Sequence, residues 1–415
     1  AHITTRQDFQ LHFIQIEDAP DIMRRLAAVG ITTREACGNS VRNVTACPIA
    51  GVCRTEAFDV TPYARAFFRF MLGHPDAQDF GRKLKTAFSG CEHEACGLLN
   101  MHDFGFLAQV RDGARGFRVY VGGGLGPTPF NAAVLADFIP VDRMLPYGQA
   151  VARVFGRLGE KKLRSMARIK FLVKKLGIVE FKRLIEEELS ILAPDPRWKD
   201  WPSEEAATFK ETPAKEVKRL NGSAKPSGFE AWRATNVYAQ HQPGYAVVYV
   251  TTPLGDLSPA QLRGLAGMAR TYIKDTVRMT VDQNVVFRWV SEADLPAVYE
   301  DLKRLGLGLP GANTISDITS CPGTDTCKLG IASSRGLARE LERRFLAAAD
   351  RMPEDVRRLK IKVSGCPNSC GQHHLADLGF YGGSRKVAGY TVPHFNVVLG
   401  GQWTENGGSY GLAIG

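Results

Sequence analysis

Two stretches of this chain match each other: GITTREACGNSVRNVTACPIAGVCR from Gly30 to Arg54, and GLGLPGANTISDITSCPGTDTCKLG from Gly306 to Gly330. Both contain the pattern CPxxxxC. Just before them lie two more matching segments, ITTRQDFQLHFIQIEDAPDIMRRL and MTVDQNVVFRWVSEADLPAVYEDL. Each of these two segments has the pattern of a short strand followed by an amphipathic helix. Matches that recur in the same order predict an internally duplicated chain.

Two further pairs of segments extend the repeat. KTAFSGCEHEACG from Lys85 matches KVSGCPNSCGQ from Lys362, and GFRVYVGGGLG from Gly116 matches HFNVVLGGQWT from His394. Only the second copy begins with an additional strand and helix pattern, GYAVVYVTTPLGDLSPAQLRGLAGMARTY, from Gly244. We expect the counterpart of that unit to lie upstream of the first residue, and we therefore interpret the sequence as a fragment.

Length and composition exclude several classes of protein. A chain of 415 residues is too long for one core, so two or three packed units are expected. The 42 glycines and 22 prolines, spread along the chain, favour a mixed α and β framework over a helical bundle or a coiled coil. No apolar run is long enough for a membrane helix, and no signal segment opens the chain, so we place the protein in the cytosol.

Two pairs of cysteines carry the strongest chemical signal. Cys321 and Cys327 have the spacing CxxxxxC, and Cys366 and Cys370 have the spacing CxxxC. A reducing compartment and an odd total of nine cysteines argue against structural disulfides. Four thiolates on two short loops suit a cubane of four irons and four sulfides, which takes one thiolate per iron. Structural zinc, which is more often held by tighter cysteine pairs, stays the alternative.

These spacings, with SCPGTDTC and SGCPNSCG as they stand here, resemble the siroheme and iron-sulfur sulfite and nitrite reductases. The resemblance covers essentially the whole chain, including its duplication. It implies an α+β fold with pseudo-twofold symmetry, in which two half-repeats form a central domain beside two siroheme or cluster domains. It also implies that siroheme and a 4Fe-4S cluster are the cofactors, and that Cys370 bridges a cluster iron to the siroheme iron.

The resemblance implies a division of the chain into five segments. The segment 191–236 has five prolines and predicts a crossing linker, whereas 151–190 has a helical pattern. That helical stretch has eleven Lys or Arg against five Asp or Glu, which favours a solvated face over a binding patch. The predicted segments are a first ferredoxin-like half-domain (1–36, incomplete), a first siroheme or cluster domain (37–190), the linker (191–236), a second ferredoxin-like half-domain (237–305) and a second siroheme and cluster domain (306–415).

A polar segment near the start of the chain is the expected siroheme contact. Siroheme carries eight carboxylates, so its pocket needs cationic and hydrogen-bonding groups. TTRQDFQLH resembles the strand that binds these carboxylates in the family, which implies that Thr4, Arg6, Gln10 and His12 contact the cofactor. Residues two apart on a strand share one face, so we expect these side chains to point the same way.

Three cations are the expected substrate ligands. Arg42, in NSVRNVTAC, matches the family's arginine on the distal face of siroheme, and Lys83 and Lys85, in GRKLK, match its two lysines. An oxyanion bound to iron needs positive charge and proton donors above it. Among relatives a lysine at the position of Lys85 is typical of sulfite reductases, and asparagine of nitrite reductases. A further arginine of the family site is expected upstream of the first residue.

The resemblance implies a six-electron reduction of sulfite to sulfide, with reduction of nitrite to ammonia as the alternative. No flavin or nicotinamide motif is found in the sequence, so a ferredoxin or a flavoprotein is the expected donor, and the net charge of +10 suits an acidic one. Neither a membrane nor a nucleic acid is an expected partner. One rival function is a non-catalytic iron-sulfur protein that binds nucleic acid, which predicts a cluster without siroheme. The other is a zinc-stabilised module, which predicts a colourless protein.

The first half keeps cysteines that the resemblance does not explain. Cys47 and Cys53 retain the spacing CxxxxxC, but Cys91 and Cys96 are spaced CxxxxC, with His93 between them and Cys37 nearby. One hypothesis is a second cluster or metal. The favoured hypothesis is a relic set of small buried cysteines, because one extra residue displaces a ligand.

Two weaker motifs follow the cysteine loops. GGGLG from Gly122 to Gly126 predicts a tight turn after a strand rather than a phosphate loop, since GxGxxG is not satisfied. His373 and His374 follow the second cysteine loop, and we expect them at the surface.

Overall fold

A computed structural model of the protein describes residues 1–92, 97–217, 220, 225–274 and 276–414. Within this part of the chain, no helix is both long enough and apolar enough to cross a bilayer. The strands are β1 His2–Ile3, β2 Phe9–Gln10, β3 Val41–Ala46, β4 Leu84–Ser89, β5 Phe104–Arg111, β6 Ala114–Val121, β7 Ala133–Pro140, β8 Val237–Ala239, β9 Tyr245–Val250, β10 Val277–Met279, β11 Val285–Ser291, β12 Thr319–Ser320, β13 Ile361–Ser364, β14 Leu378–Val387, β15 Tyr390–Leu399 and β16 Leu412–Ala413.

The helices lie between these strands in both halves. They are α1 Ala19–Ala28, α2 Thr61–Met71, α3 Met144–Leu158, α4 Ile169–Leu176, α5 Ile178–Ile191, α6 Arg197–Thr208, α7 Phe229–Asn236, α8 Pro259–Tyr272, α9 Leu295–Arg304, α10 Ser334–Ala348 and α11 Glu354–Arg357.

Two five-stranded sheets have the same topology. The first has the order β3-β4-β5-β6-β7 and the second β12-β13-β14-β15-β16. In both, the first three strands are parallel and the last two are antiparallel to their neighbours. The predicted duplication and the α+β class are therefore confirmed.

A smaller sheet and a short hairpin complete the framework. The sheet has the order β10-β11-β9-β8, and β1 pairs with β2. In the sheet, Val285 and Phe287 are buried at 3% and 0% exposed, among residues of β9 and α8. The matching residues of the first half, Phe9 and Leu11, are 45% and 46% exposed. This difference agrees with the strand and helix pattern that the sequence shows only in the second half.

The hairpin contains a turn that the sequence did not predict. The Thr4 hydroxyl accepts bonds from the backbone N–H groups two and four residues later, at 3.1 and 3.3 Å, and Thr280 does the same at 3.2 and 3.0 Å. Gln7 and Gln283 then take left-handed φ angles of 59° and 69°. The prediction that Thr4 to His12 lie along one strand is wrong, because this threonine-capped turn reverses the chain.

The predicted linker also contains regular structure. It holds α6 and α7, and α6 packs on α2, where Arg65 Nε donates to Glu205 Oε2 at 2.7 Å and Arg69 Nη1 donates to Glu204 Oε2 at 2.8 Å. The Arg69 guanidinium also lies 4.2 Å from the Trp201 ring centroid. This segment is thus fastened to the first half by charged and aromatic contacts.

Aromatic side chains form the core of the first half. Phe67 on α2 meets Phe88 and Phe106 of the first five-stranded sheet, whose rings stack 4.6 Å apart. All three are fully buried. This packing fixes the sheet in which β4 carries Lys85 and begins directly after Lys83.

Candidate active site

Parallel strands bring the two cysteine loops of the second half to one sheet edge. Cys321 directly follows β12, and Cys366 follows β13 by two residues. The backbone N–H of Cys321 donates to Val363 O at 3.2 Å, and that of Gly365 donates to the Cys321 sulfur at 3.2 Å. The loops are therefore held together by the backbone, with a sulfur already accepting a hydrogen bond.

The end of the loop that holds Cys321 and Cys327 is also tied to the loop of Cys366, because the N–H groups of Ile331 and Ala332 donate to Gly365 O at 2.8 and 3.1 Å. Burial raises the pKa of Cys366, and the charges of Cys321 and Cys327 raise it further. Burial also raises the pKa of Cys370, with smaller contributions from Cys321 and Cys366. In the described part of the chain, no three His, Cys, Asp or Glu groups are close enough to share one metal ion. Two loops with two cysteines each offer one thiolate for each iron of a cubane.

The N-terminal hairpin contacts the loop of Cys370. Thr5 Oγ1 donates to the backbone oxygen of Cys370 at 2.8 Å, and Gln372 Nε2 donates to Thr5 O at 3.3 Å. The first half therefore closes over the cysteine loops of the second half. The candidate site lies between the two.

The two predicted lysines lie at the start of β4, Lys83 directly before it and Lys85 within it. Lys83 and Lys85 are two residues apart, so their side chains share one face of the strand. Among the described residues neither ammonium has a hydrogen bond or an ion pair. Burial lowers the pKa of Lys85 well below its usual range, and the charges of Lys83 and Arg6 add to this effect. The hairpin turn links β4 to the loop of Cys370, because Arg6 Nη2 donates to Thr86 O, next to Lys85, and the neighbouring Thr5 Oγ1 donates to Cys370 O. Burial raises the pKa of Cys370, and the charges of both lysines act in the opposite direction.

Arg42 is held at the rim of the same region by backbone oxygens. Its Nη1 donates to Ala36 O at 2.7 Å, and its Nε and Nη2 donate to Gly38 O at 3.2 and 2.9 Å. Its charge also lowers the pKa of Lys83, for which burial is the largest cause. Val41, next to Arg42, pairs with Leu84, which lies between the two lysines, so adjacent strands bring together the three cations that the sequence predicted.

Arg6 lies in the hairpin turn and is heavily bonded within the protein. Its Nη1 donates to Thr45 Oγ1 at 3.0 Å and to His102 Nε2, and its Nη2 donates to Thr86 O at 3.2 Å and to Asn43 O. Burial lowers its pKa to about 10. These bonds leave mainly its Nε for a cofactor carboxylate, whose contact with Arg6 stays a prediction.

The other predicted siroheme contacts are spread along the hairpin. The Thr4 hydroxyl caps the turn, Gln10 is exposed on β2, and His12 is half-buried beside His2, with ring centroids 6.1 Å apart. The His12 Nε2 atom is buried without a hydrogen-bond partner among the described residues. Such an atom needs a polar ligand, which fits a cofactor edge.

The sequence did not predict the ion pair between Arg168 and Asp103. The guanidinium of Arg168 donates to Asp103 Oδ1 from Nε at 2.9 Å and from Nη2 at 2.7 Å, and the Asp103 side chain is fully buried. Lys170, 4% exposed, donates to Leu125 O at 3.1 Å and to Thr128 O at 2.5 Å. The prediction of a solvated face for residues 151–190 is therefore wrong at Arg168 and Lys170.

The weaker motifs have different outcomes. GGGLG forms the predicted turn after β6, where Gly122 has a φ of 83° and Gly123 lies so close to the backbone of His102 that a side chain would clash. The prediction that His373 is at the surface is wrong: it is fully buried and stacks on Tyr381, with centroids 4.8 Å apart. Its neighbour His374 is partly buried and bonds to Gly126 O at 3.2 Å.

Three cysteines of the first half pack as core residues. Cys47, Cys53 and Cys91 are 2%, 2% and 4% exposed, and the first two lie in the main hydrophobic core. A hydrogen bond with Cys91 and burial raise the pKa of Cys53. This packing supports the relic hypothesis, but Cys96 and His93 lie outside the described residues, so the hypothesis stays a prediction.

Comparison with known proteins places this fold and site in one family. The model for the nitrite and sulphite reductase 4Fe-4S domain matches residues 37–192 and 311–410, and the model for the ferredoxin-like half domain of nitrite/sulfite reductases matches residues 1–29 and 238–305. The chain belongs to the nitrite and sulfite reductase family. Members of this family carry siroheme and a 4Fe-4S cluster.

Several named proteins of this family align with nearly the whole of this chain. A sulfite reductase [ferredoxin] 1 of Mycolicibacterium paratuberculosis is 32% identical, over 98% of this chain and 69% of its own length. A ferredoxin-nitrite reductase of Synechococcus elongatus is 29% identical, over 96% of this chain and 73% of its own. The solved structure of Mycobacterium tuberculosis NirA matches all of this chain and 71% of its own, with a TM-score of 0.81 and 30% identity.

The residues present fit both family cofactors. Four neighbouring thiols on two backbone-linked loops suit a cluster. His12 Nε2, which is buried and has no partner within the described chain, suits a polar ligand such as siroheme, which is rich in carboxylates. Ser369 Oγ, next to Cys370, is likewise buried without a partner among the described residues.

Proposed function

We propose that this protein reduces sulfite to sulfide, taking six electrons one at a time from an external donor. The observation that supports this most is the hairpin turn that joins β4 to the Cys370 loop, in which Arg6 donates to Thr86 O and Thr5 donates to Cys370 O. This turn brings the segment of Lys83 and Lys85, whose ammonium groups have no ion pair among the described residues, to the loop of Cys370. A doubly cationic surface over the expected electron-transfer ligand is what an oxyanion substrate needs.

Each predicted residue has a role in this proposal. Arg42, Lys83 and Lys85 bind the oxyanion and supply protons. The lowered pKa of Lys85, caused mainly by burial, makes its ammonium a stronger acid than that of an ordinary lysine. Conversion of hydrogensulfite to hydrosulfide takes up six electrons and six protons and releases three waters. When bound, siroheme and the cluster supply the electron store and the metal at which sulfur is reduced.

The cofactor ligands are assigned in the same way. We assign Cys321, Cys327, Cys366 and Cys370 as the residues that would hold the cluster, and Cys370 also as a residue that would contact siroheme. The hairpin and its extension supply the siroheme carboxylate contacts, through Thr4, Arg6, Gln10 and His12.

An acidic one-electron carrier is the proposed donor. Ferredoxin appears in the names of the sulfite and nitrite reductase relatives, and a flavoprotein could serve the same purpose. The net charge of +10 favours encounter with an acidic partner. We also propose a cytosolic location, because a reducing compartment suits the thiol ligands of the proposed cluster.

The test is turnover by the purified full-length protein with reduced methyl viologen as the donor. We expect sulfite-dependent oxidation of the dye, with six electrons consumed per sulfide formed, and a lower kcat/KM for nitrite than for sulfite. A higher kcat/KM for nitrite would transfer the assignment to ammonia formation. Absence of turnover with both anions in cofactor-loaded protein would refute it.

A further inference from the structure

Asp103 joins β4 to the segment that carries Arg168. Its Oδ2 accepts a hydrogen bond from the backbone N–H of Lys85 at 2.9 Å, and its Oδ1 accepts the two bonds from the Arg168 guanidinium at 2.9 and 2.7 Å. Its side chain is fully buried, and that of Arg168 is 14% exposed. The Asp103 carboxylate thus holds both the backbone of β4 at Lys85 and the guanidinium of Arg168.

The duplication supplies an internal comparison. Asp377 is the counterpart of Asp103 in the second half, and its Oδ2 accepts from the backbone N–H of Lys360 at 2.7 Å. No arginine bonds to Asp377 in the described part of the chain. The bond to the strand is therefore common to both halves, whereas the arginine is found only where Lys83 and Lys85 face the cysteine loop.

Arg168 is linked to the lysine pair through Asp103, which bonds both to its guanidinium and to the backbone of Lys85. Its charge contributes to the lowered pKa of both Lys83 and Lys85. Asp103 uses one Nε–H and one Nη2–H of the guanidinium, and Leu125 O lies 3.5 Å from Nη1. One N–H on each Nη atom is left for an anion. A buried carboxylate is what holds a guanidinium in place among like charges.

We propose that Asp103 is a positioning residue, which holds Arg168 as a fourth fixed cation beside Lys83 and Lys85. The identity of the substrate in this inference rests on the proposed function. The ligand chemistry is an oxyanion, either the substrate or a carboxylate of the cofactor. The two sources are separated by measuring substrate affinity and siroheme content in the same preparation.

The experiment compares Asp103→Asn with Asp377→Asn, the matched change in the other half. Asparagine keeps one acceptor for the strand N–H but cannot hold the guanidinium with a charged oxygen. For Asp103→Asn we expect either a KM and a sulfite dissociation constant raised about tenfold at unchanged siroheme content, or siroheme content lowered at unchanged KM. The first result assigns Arg168 to the substrate and the second to the cofactor. Asp377→Asn should change none of the three quantities.

A double-mutant cycle separates positioning from a general loss of folding. Arg168→Gln should show the same loss as Asp103→Asn, and Asp103→Asn/Arg168→Gln should be no worse than either single variant. The double variant removes a charge with its partner, so it carries the test if a single variant does not accumulate. Additive losses, or equal behaviour of Asp103→Asn and Asp377→Asn, would overturn the inference. A wild-type protein that holds siroheme but does not reduce sulfite would instead refute the proposed function. The siroheme content of the Asp103→Asn variant would then decide the role of Asp103.

Discussion

Gln7 and Gln283 make the same contact in opposite directions across the two halves. Gln7 Nε2 donates to the backbone oxygen of Met279 at 2.9 Å, and Gln283 Nε2 donates to that of Ile3 at 2.8 Å. Ile3 and Met279 are themselves matching residues of the repeat. These two reciprocal hydrogen bonds join the halves and follow the pseudo-twofold relation between them.

Replacing either glutamine by alanine should weaken the junction. Gln283 is 1% exposed and Gln7 is half-buried, so we expect Gln283→Ala to cost about 2 kcal/mol of the free energy of unfolding and Gln7→Ala about 1 kcal/mol. Urea unfolding followed by tryptophan fluorescence measures both losses. Gln15→Ala, at an exposed position, is the control. A larger loss for Gln7→Ala than for Gln283→Ala would contradict this account of the junction.

A buried ion pair takes the place of Arg6 in the second half. Lys362 Nζ donates to Asp282 Oδ1 at 2.6 Å, and the two side chains are 2% and 13% exposed. Asp282→Asn should destabilise the protein by about 3–5 kcal/mol, because it leaves a buried ammonium without its partner. Asp282→Asn/Lys362→Met should regain most of that loss in the same urea measurement. A double variant as unstable as the single one would show that the pair itself is not responsible.

Burial of Glu56 predicts a pH-dependent stability. Desolvation raises its pKa from 4.5 to about 7, although the Gly51 N–H donates to its carboxylate. Between these values the folded protein retains a proton that the unfolded chain has lost, so the free energy of unfolding falls as pH rises. Glu56→Gln should flatten this dependence and stabilise the protein at pH 8 by about 2 kcal/mol, as judged by denaturation from pH 5 to 8. Glu17→Gln, at an exposed position, should leave the slope unchanged.

Lys85 is the residue on which substrate preference depends. Lys85→Asn should lower kcat/KM for sulfite about tenfold or more and that for nitrite less, because sulfite is the substrate expected to need the additional charge and proton. Steady-state assays with both anions on one preparation measure this. Lys182→Asn removes an exposed lysine and should affect neither. Equal losses for the two anions would refute the assignment.

The two cysteine sets should differ in iron content. Cys366→Ser removes a proposed cluster ligand and should lower iron by about four per chain. Cys53→Ser changes a core cysteine, 2% exposed, and should leave iron unchanged. Iron and acid-labile sulfide are counted on both purified variants. Loss of iron from Cys53→Ser would instead support a second centre in the first half.

Most of the fold could be predicted from the sequence because the repeat preserves order and spacing. The hairpin turn was missed because Thr4, Arg6 and Gln10 alternate with other residues as they would on a strand, and alternation alone does not reveal a capped reversal. The helix α6 was not predicted because prolines are typical of linkers, and its segment contains several. Pro196 is in fact its N-cap, and Pro202 lies within it.

Only part of the candidate site could be predicted from the sequence, for a different reason. Arg42, Lys83 and Lys85 are found within short motifs, so the sequence indicates them directly. Asp103 and Arg168 are 65 residues apart, and nothing in their local sequence pairs them. Their contact is a consequence of tertiary packing, which a single sequence does not encode in any spacing.

The measurement that tests the central claim most directly is an absorption spectrum of the purified protein, with iron and acid-labile sulfide counted on the same sample. We predict a siroheme band with about five irons and about four sulfides per chain, as expected for one cubane coupled to one siroheme. A colourless protein, or cluster absorbance without siroheme, would contradict the account.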